Sequence, residues 1–267
     1  MSSGKQVRLN RIFGGDGRSV VVAMDHGMSG MFPLGRLADP AALLSAIRAG
    51  GADAVLTTPG LARRFAPHLG RLGLIVRIDG GATPIGNVAR SSGLVATPED
   101  ALRLGADAVA VMGFCGTEDE AQSLLTLGKV ATECRALGLA LMAEMLPLGF
   151  GGEPTVEEVT MAARIGAEIG ADIVKTKYVG PREAYLEVTE TCFVPVLVLG
   201  GSERDPGQLK GTIDEALTAG ASGVAIGRSV WRSPDARGVV TAIVEAVHGV
   251  PSGVPGSAPP ASGAAPA

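Results

Sequence analysis

Cysteine, histidine, aromatic side chains and long apolar runs are all scarce in this chain, and each scarcity removes a class of protein. The three cysteines, Cys115, Cys134 and Cys192, have neither the density of a disulfide scaffold nor the paired spacing of a zinc site, so a reducing, cytoplasmic compartment is expected and a metal site is not. No stretch reaches the roughly 18 apolar residues that cross a bilayer. Residues 1–18 carry Lys5, Arg8, Arg11 and Asp16 without the continuous apolar centre of a signal peptide. The net charge is -4, and no cluster of Lys and Arg is interleaved with aromatics, so nucleic acid is not an expected partner. Aromatics make up 3% of the chain against 46% hydrophobic residues. The core must therefore be built from Ala, Val, Leu and Ile, with small residues letting helices lie close on a sheet.

What is present is a repeated phrase. Gly51-Ala52-Asp53-Ala54-Val55, Gly105-Ala106-Asp107-Ala108-Val109, Gly170-Ala171-Asp172-Ile173-Val174 and Gly220-Ala221-Ser222-Gly223-Val224 each close an amphipathic Ala/Leu segment and open a β-branched one. The glycine reads as a helix C-cap and the β-branched run as the next strand. Together with the apolar runs at 19–25, 74–79, 139–144 and 194–199, these give strands beginning near residues 19, 53, 74, 107, 139, 172, 194 and 223. Eight parallel strand-helix units predict a closed TIM (β/α)8 barrel as a single domain over residues 19–249, after an N-terminal segment 1–18. The expected Gly-x-Gly-x-x-Gly of a dinucleotide-binding open sheet is missing after the first strand. The third unit is the weakest, because 80–93 is too glycine-rich and polar for a helix. Residues 250–267 are Pro, Ser, Gly, Ala and Val without charge or periodicity and read as a disordered tail.

One strand carries charge where it should carry none. In Asp172-Ile173-Val174-Lys175-Thr176-Lys177-Tyr178, period-two alternation puts Lys175 and Lys177 on one face of a strand covered by helices. A desolvated amine is pushed toward its neutral, nucleophilic form; the alternative is a pair of lysines holding an anion or reaching solvent. Barrel active sites lie at the carboxyl ends of the strands. Those ends carry Asp25 and His26, Asp79, Glu144, Lys175 and Lys177, then Gly200, Gly201 and Ser202, and finally Gly227 and Arg228. Glycine turns with bare N–H groups in the last two units, beside an arginine, read as a phosphate grip. His26 either orients its neighbours or takes part directly, while His68 and His248, in helical surroundings, are expected at the surface.

The runs Asp25-His26-Gly27, Ile173-Val174-Lys175-Thr176-Lys177-Tyr178, Val198-Leu199-Gly200-Gly201 and Gly223 to Trp231 resemble the archaeal-type class I fructose-bisphosphate aldolases. That family includes aminodideoxyheptulosonate synthases, synthases joining dihydroxyacetone phosphate to aspartate semialdehyde, and an autoinducer-processing thiolase. The resemblance covers residues 8–248. It implies a metal-independent TIM barrel with no cofactor, acting on a phosphorylated small molecule and often assembled as a decamer of two pentameric rings. Carried over by position, the Schiff-base lysine falls on Lys175, and the aspartate that aids proton movement falls on Asp25.

The sequence departs from the aldolases at the fifth strand, where the proton-moving tyrosine before a proline is Leu146. A leucine moves no proton, which argues against the ordinary fructose-bisphosphate reaction. Glu144 replaces it if burial raises its pKa, or else pairs with a lysine. Asp79 contacts a polar substrate or holds its own glycine turn, and Lys177 raises the local positive potential beside Lys175. A Schiff-base lyase acting on dihydroxyacetone phosphate or a related phosphoketose is the expected function. A coenzyme A-dependent thiolase and a non-catalytic phosphosugar-binding barrel are the alternatives.

Overall fold

The computed structural model describes residues 2–81, 83–85, 93–200 and 206–249. Gly201, Ser202 and the C-terminal stretch 250–267 lie outside the described residues.

Eight parallel strands close a barrel in chain order: β1 (Ser19–Ala23), β2 (Ala54–Thr57), β3 (Gly73–Arg77), β4 (Ala108–Gly113), β5 (Ala140–Met145), β6 (Ile173–Lys177), β7 (Val196–Leu199) and β8 (Gly223–Ile226), with β8 pairing back to β1. Every expected strand is there, shifted by two residues at most. Among the helices, α1 (Ser3–Ile12) precedes the barrel, and α2 (Pro40–Gly50), α3 (Glu120–Leu137), α4 (Val156–Ile169), α5 (Arg182–Thr191), α6 (Pro206–Thr218) and α7 (Ala236–His248) accompany its strands. In the third unit Asp79–Gly80 forms a two-residue antiparallel ribbon with Gly93–Leu94, and the short helix Pro98–Arg103 comes only after it, opened by a capping box between Thr97 and Asp100.

The repeated phrase has a structural cause. Gly51, Gly105, Gly170 and Gly220 all adopt positive φ, which only glycine adopts without strain, and so turn the chain from helix to strand. In the first three phrases the aspartate two residues on then accepts the backbone N–H of the second residue of the preceding strand: Val20 N to Asp53 at 2.7 Å, Leu74 N to Asp107 at 3.0 Å and Leu141 N to Asp172 at 2.9 Å. Each aspartate thus pins two adjacent strands in register at the amino end of the barrel.

That end is also closed by α1 and α7. Lys5 pairs with Asp172 at 2.8 Å, Arg11 with Asp107 at 3.0 Å, and Arg8 donates to the Ala106 carbonyl at 2.8 Å. Ile12 enters the inner core with Val21, Ala23, Leu56, Ile75, Ala108, Ala110, Met142, Ile173, Leu197 and Ala225. These are the inward positions of the strand alternation, filled mostly by small or branched residues as the scarcity of aromatics requires. His248 is not a free surface residue: its Nδ1 lies 2.8 Å from Asp16 and its Nε2 3.0 Å from Asp53. Two carboxylates, against partial burial, push its imidazole up to about 9. Its place at the end of α7 conceals this, because both partners come from distant parts of the chain.

Candidate active site

The inward alternation that begins with hydrocarbon at the amino end finishes with charge at the carboxyl end. On β3 it runs Gly73, Ile75, Arg77 and then Asp79; on β5 it runs Ala140, Met142, Glu144; on β6 it runs Ile173, Lys175. Asp25 follows β1. The register places Glu144 directly beside Lys175, whose amine lies 2.8 Å from Glu144 Oε1. All five side chains are buried, Lys175 at 6% exposure and Arg77 at 4%.

Arg77 is the hub, and sequence reading did not single it out. Its Nε donates to Asp25 at 2.5 Å, its Nη1 to Asp79 at 3.0 Å, and its Nη2 to the Glu144 oxygen not used by Lys175. The signal was available: a charged pair two residues apart, Arg77 and Asp79, inside an apolar strand is the same anomaly that marks Lys175 and Lys177. Burial alone lowers the guanidinium's proton affinity, but Glu144, Asp25 and Asp79 outweigh it and Arg77 stays charged.

The carboxylates divide by their partners. Burial would raise Asp25, yet Arg77, then Lys175 and His26, bring it down to about 2. Burial likewise works to raise Glu144, and Lys175 followed by Arg77 overcomes it, leaving the pKa below the ordinary value. Of the two readings of Glu144, the pairing with a lysine is the one present: with Arg77 on one oxygen and the Lys175 amine on the other, it is an anion at neutral pH rather than a weak acid. Only Asp79 is raised, burial outweighing Arg77. Asp79 also accepts the Met112 N–H at 2.8 Å, which fixes it between β3 and β4.

Lys177 is turned to a different task from Lys175. Its ammonium donates to the carbonyls of Gly149 at 3.2 Å and Gly152 at 2.5 Å, tying down the loop after β5, and burial lowers its pKa. In that loop Leu148 adopts positive φ at 59°, a conformation that a branched residue holds at some cost. Leu146, 2% exposed, continues the inward face past Glu144 with hydrocarbon.

His26 stands at the rim. Its Nδ1 is 3.4 Å from Asp25, and its ring meets Trp231 edge to face with centroids 5.3 Å apart. Burial lowers its pKa more than Asp25 raises it, so the imidazole is neutral. Gly227 makes room for it, since a Cβ there would collide with the imidazole and lie 2.7 Å from the Ala23 carbonyl. Arg228, the next residue, is half-buried, and its side chain makes no hydrogen bond or ion pair among the described residues. Gly200 lies at the end of β7 against Ile226 of β8. Among the described residues no group of three or more His, Cys, Asp or Glu is arranged to hold a metal, and no helix is long and apolar enough to cross a membrane.

A closed parallel barrel that buries an amine among carboxylates inside its carboxyl mouth is the build of the class I aldolases. Residues 19–233 match the family described as DeoC/LacD family aldolase, and the chain belongs to that family. It is 35% identical to the 2-amino-3,7-dideoxy-D-threo-hept-6-ulosonate synthase of Halobacterium salinarum, covering 92% of each chain. It is 32% identical to the 2-amino-4,5-dihydroxy-6-oxo-7-(phosphonooxy)heptanoate synthase of Streptomyces griseus, covering 98% of this chain and 96% of that one. Among solved structures, an archaeal fructose-1,6-bisphosphate aldolase with its catalytic lysine bound to the carbinolamine intermediate superposes with a TM-score of 0.82 at 30% identity, over 91% of this chain and 99% of that one. The chain is thus a lysine Schiff-base class I aldolase, a lyase.

Proposed function

We propose that the chain joins dihydroxyacetone phosphate, or a close phosphoketose, to an aldehyde through an imine on Lys175, in a specialised biosynthetic step rather than in glycolysis. The observation that carries this reading is the Lys175 amine, buried inside the barrel mouth and in contact with a carboxylate at 2.8 Å. The choice of substrates is supported by the Streptomyces griseus relative. Cutting the C4–C5 bond of its named product gives dihydroxyacetone phosphate and a four-carbon 2-amino-4-oxobutanoate. We assign the same pair to this chain.

The steps follow from the residues. Glu144 takes a proton from Lys175, whose nitrogen adds to the ketone carbon as the carbonyl π bond opens; Glu144 returns that proton to the new alkoxide, and a second proton passes from the nitrogen to the same oxygen. Loss of water gives an iminium, an electron sink that lets the neighbouring carbon give up a proton and become an enamine. The enamine forms the new bond to the aldehyde carbon, and water releases product and restores the amine. With Leu146 where the tyrosine would stand, His26 carries the proton from carbon to the new alkoxide, becoming for that interval an imidazolium beside the Asp25 carboxylate. Arg228, with the backbone of Gly200 and Gly227, holds the phosphate, so that remote binding energy orients the reacting carbon; Gly201 and Ser202, outside the described residues, are assigned to the same grip from the sequence alone.

The proposal includes chemistry without a metal, since the iminium itself withdraws the electrons. It also includes a cytoplasmic location, supported by three free buried thiols, and a homo-oligomer, supported by Met161 and Phe193, which lie exposed at 52% and 57% on the outer surface. The test is incubation with both substrates and mass detection of a seven-carbon phosphorylated amino keto acid. Product that appears only with added coenzyme A would instead make the chain a thiolase. Phosphate-ligand binding with no product and no imine would make it a binding barrel.

A further inference from the structure

We infer that Arg77 is a positioning residue of the reaction: its guanidinium holds the Asp25 and Glu144 carboxylates in fixed orientation around the Lys175 amine and so sets the rate and the acid limb of imine formation. This rests on the imine reading of Lys175. The geometry is specific. A planar cation presents each of its nitrogens to a different carboxylate, from the end of β1, from its own strand's extension and from β5. Glu144 is thereby split, one oxygen on Arg77 and the other on Lys175. Without Arg77 that carboxylate has no second partner among the described residues and is free to rotate away from the amine or to fold over it.

Asp79 completes the device. Anchored to the Met112 N–H at 2.8 Å and to Nη1 at 3.0 Å, it fixes the plane of the guanidinium from behind, a role that accounts for its near-complete burial. The charged and titratable groups that face this centre are Asp25 and His26 after β1, Asp79 after β3, Glu144 on β5, Lys175 on β6 and Arg228 after β8. Arg77 contacts three of these groups, Asp25, Asp79 and Glu144. A lysine at 77 would keep the charge, but a single ammonium lacks the planar fork that spans three acceptors.

The measurement is the rate at which borohydride traps dihydroxyacetone phosphate on the full-length chain, from about pH 4 to about pH 9, in wild type, Arg77→Met and Arg77→Lys. In Arg77→Met the carboxylates lose the partner they share, one of the charges that favour their ionised form, so the acid limb moves to higher pH by about one unit or more, and the plateau falls about 10-fold to 100-fold. In Arg77→Lys the limb stays within a few tenths of a unit of wild type while the plateau falls by about 10-fold. An acid limb unmoved in Arg77→Met, or an Arg77→Lys enzyme with wild-type limb and plateau, overturns the inference; if Arg77→Met does not fold, Arg77→Lys alone decides. A wild-type chain that traps nothing overturns the imine reading and this inference together, whereas trapping with an unmoved limb overturns only the second.

Discussion

At the amino end of the barrel Asp53, Asp107 and Asp172 each face a cation of their own, His248, Arg11 and Lys5, while at the carboxyl end Asp25, Asp79 and Glu144 share Arg77 and leave one oxygen for Lys175. The ingredients match and the wiring differs. At the amino end every carboxylate also takes a backbone N–H of the preceding strand, so each pair is spent on holding register. Among the described residues at the carboxyl end, only Asp79 takes a backbone N–H, Asp25 and Glu144 are held by side chains alone, and the Arg228 side chain stands uncommitted. Charge tied to backbone stabilises the fold, and charge tied only to other charge remains available to a ligand.

Breaking the comparison at its amino end comes first in size. Asp172→Ala strands the Lys5 ammonium and the Leu141 N–H together, and is expected to cost about 3 kcal/mol in denaturant unfolding while the folded fraction keeps its turnover. At the carboxyl end Arg228→Met should leave the fold alone and raise KM for the phosphorylated ketone about 10-fold, roughly 1.4 kcal/mol, with a smaller change for the same ketone without phosphate. A change of equal size for both ketones would remove phosphate contact from Arg228.

An effect of similar size depends on pH. His248 has a folded pKa raised to about 9 from 6.5, so its contribution is fully present below the unfolded value and fades as pH rises through the folded one. His248→Gln should therefore lose about 1–2 kcal/mol near pH 6, discounted for its partial exposure, and almost nothing above about pH 10. Equal losses at both pH values would mean that packing, not charge, ties α7 to the amino end.

Much of this was legible in the chain itself, for physical reasons. The Gly-Ala-Asp phrase announced the barrel because helix termination, strand opening and register pinning all fall on three consecutive residues. Lys175 was legible because an ammonium in an apolar strand violates the expectation for buried chain. Arg77 carries the same violation, but it sits inside the run 74–79, which reads as apolar as a whole, and attention falls on Asp79 and the glycines at the end of that run. The direction of the Glu144 shift could not be read at all without Arg77, since burial and pairing oppose each other and only distance decides. Likewise, alternation put Lys177 on the face of Lys175, but the carbonyls of Gly149 and Gly152 that claim it come from a loop whose path no local pattern fixes.

The central claim is that one buried amine, flanked by ionised carboxylates, captures a phosphorylated ketone. Peptide mapping by mass spectrometry after borohydride reduction with dihydroxyacetone phosphate tests it most directly. The account predicts a single reduced adduct on the peptide that contains Lys175, absent in Lys175→Met, whose turnover falls on the order of 10⁴-fold. An adduct mapped to Lys177 instead, or one that persists undiminished in Lys175→Met, would contradict it.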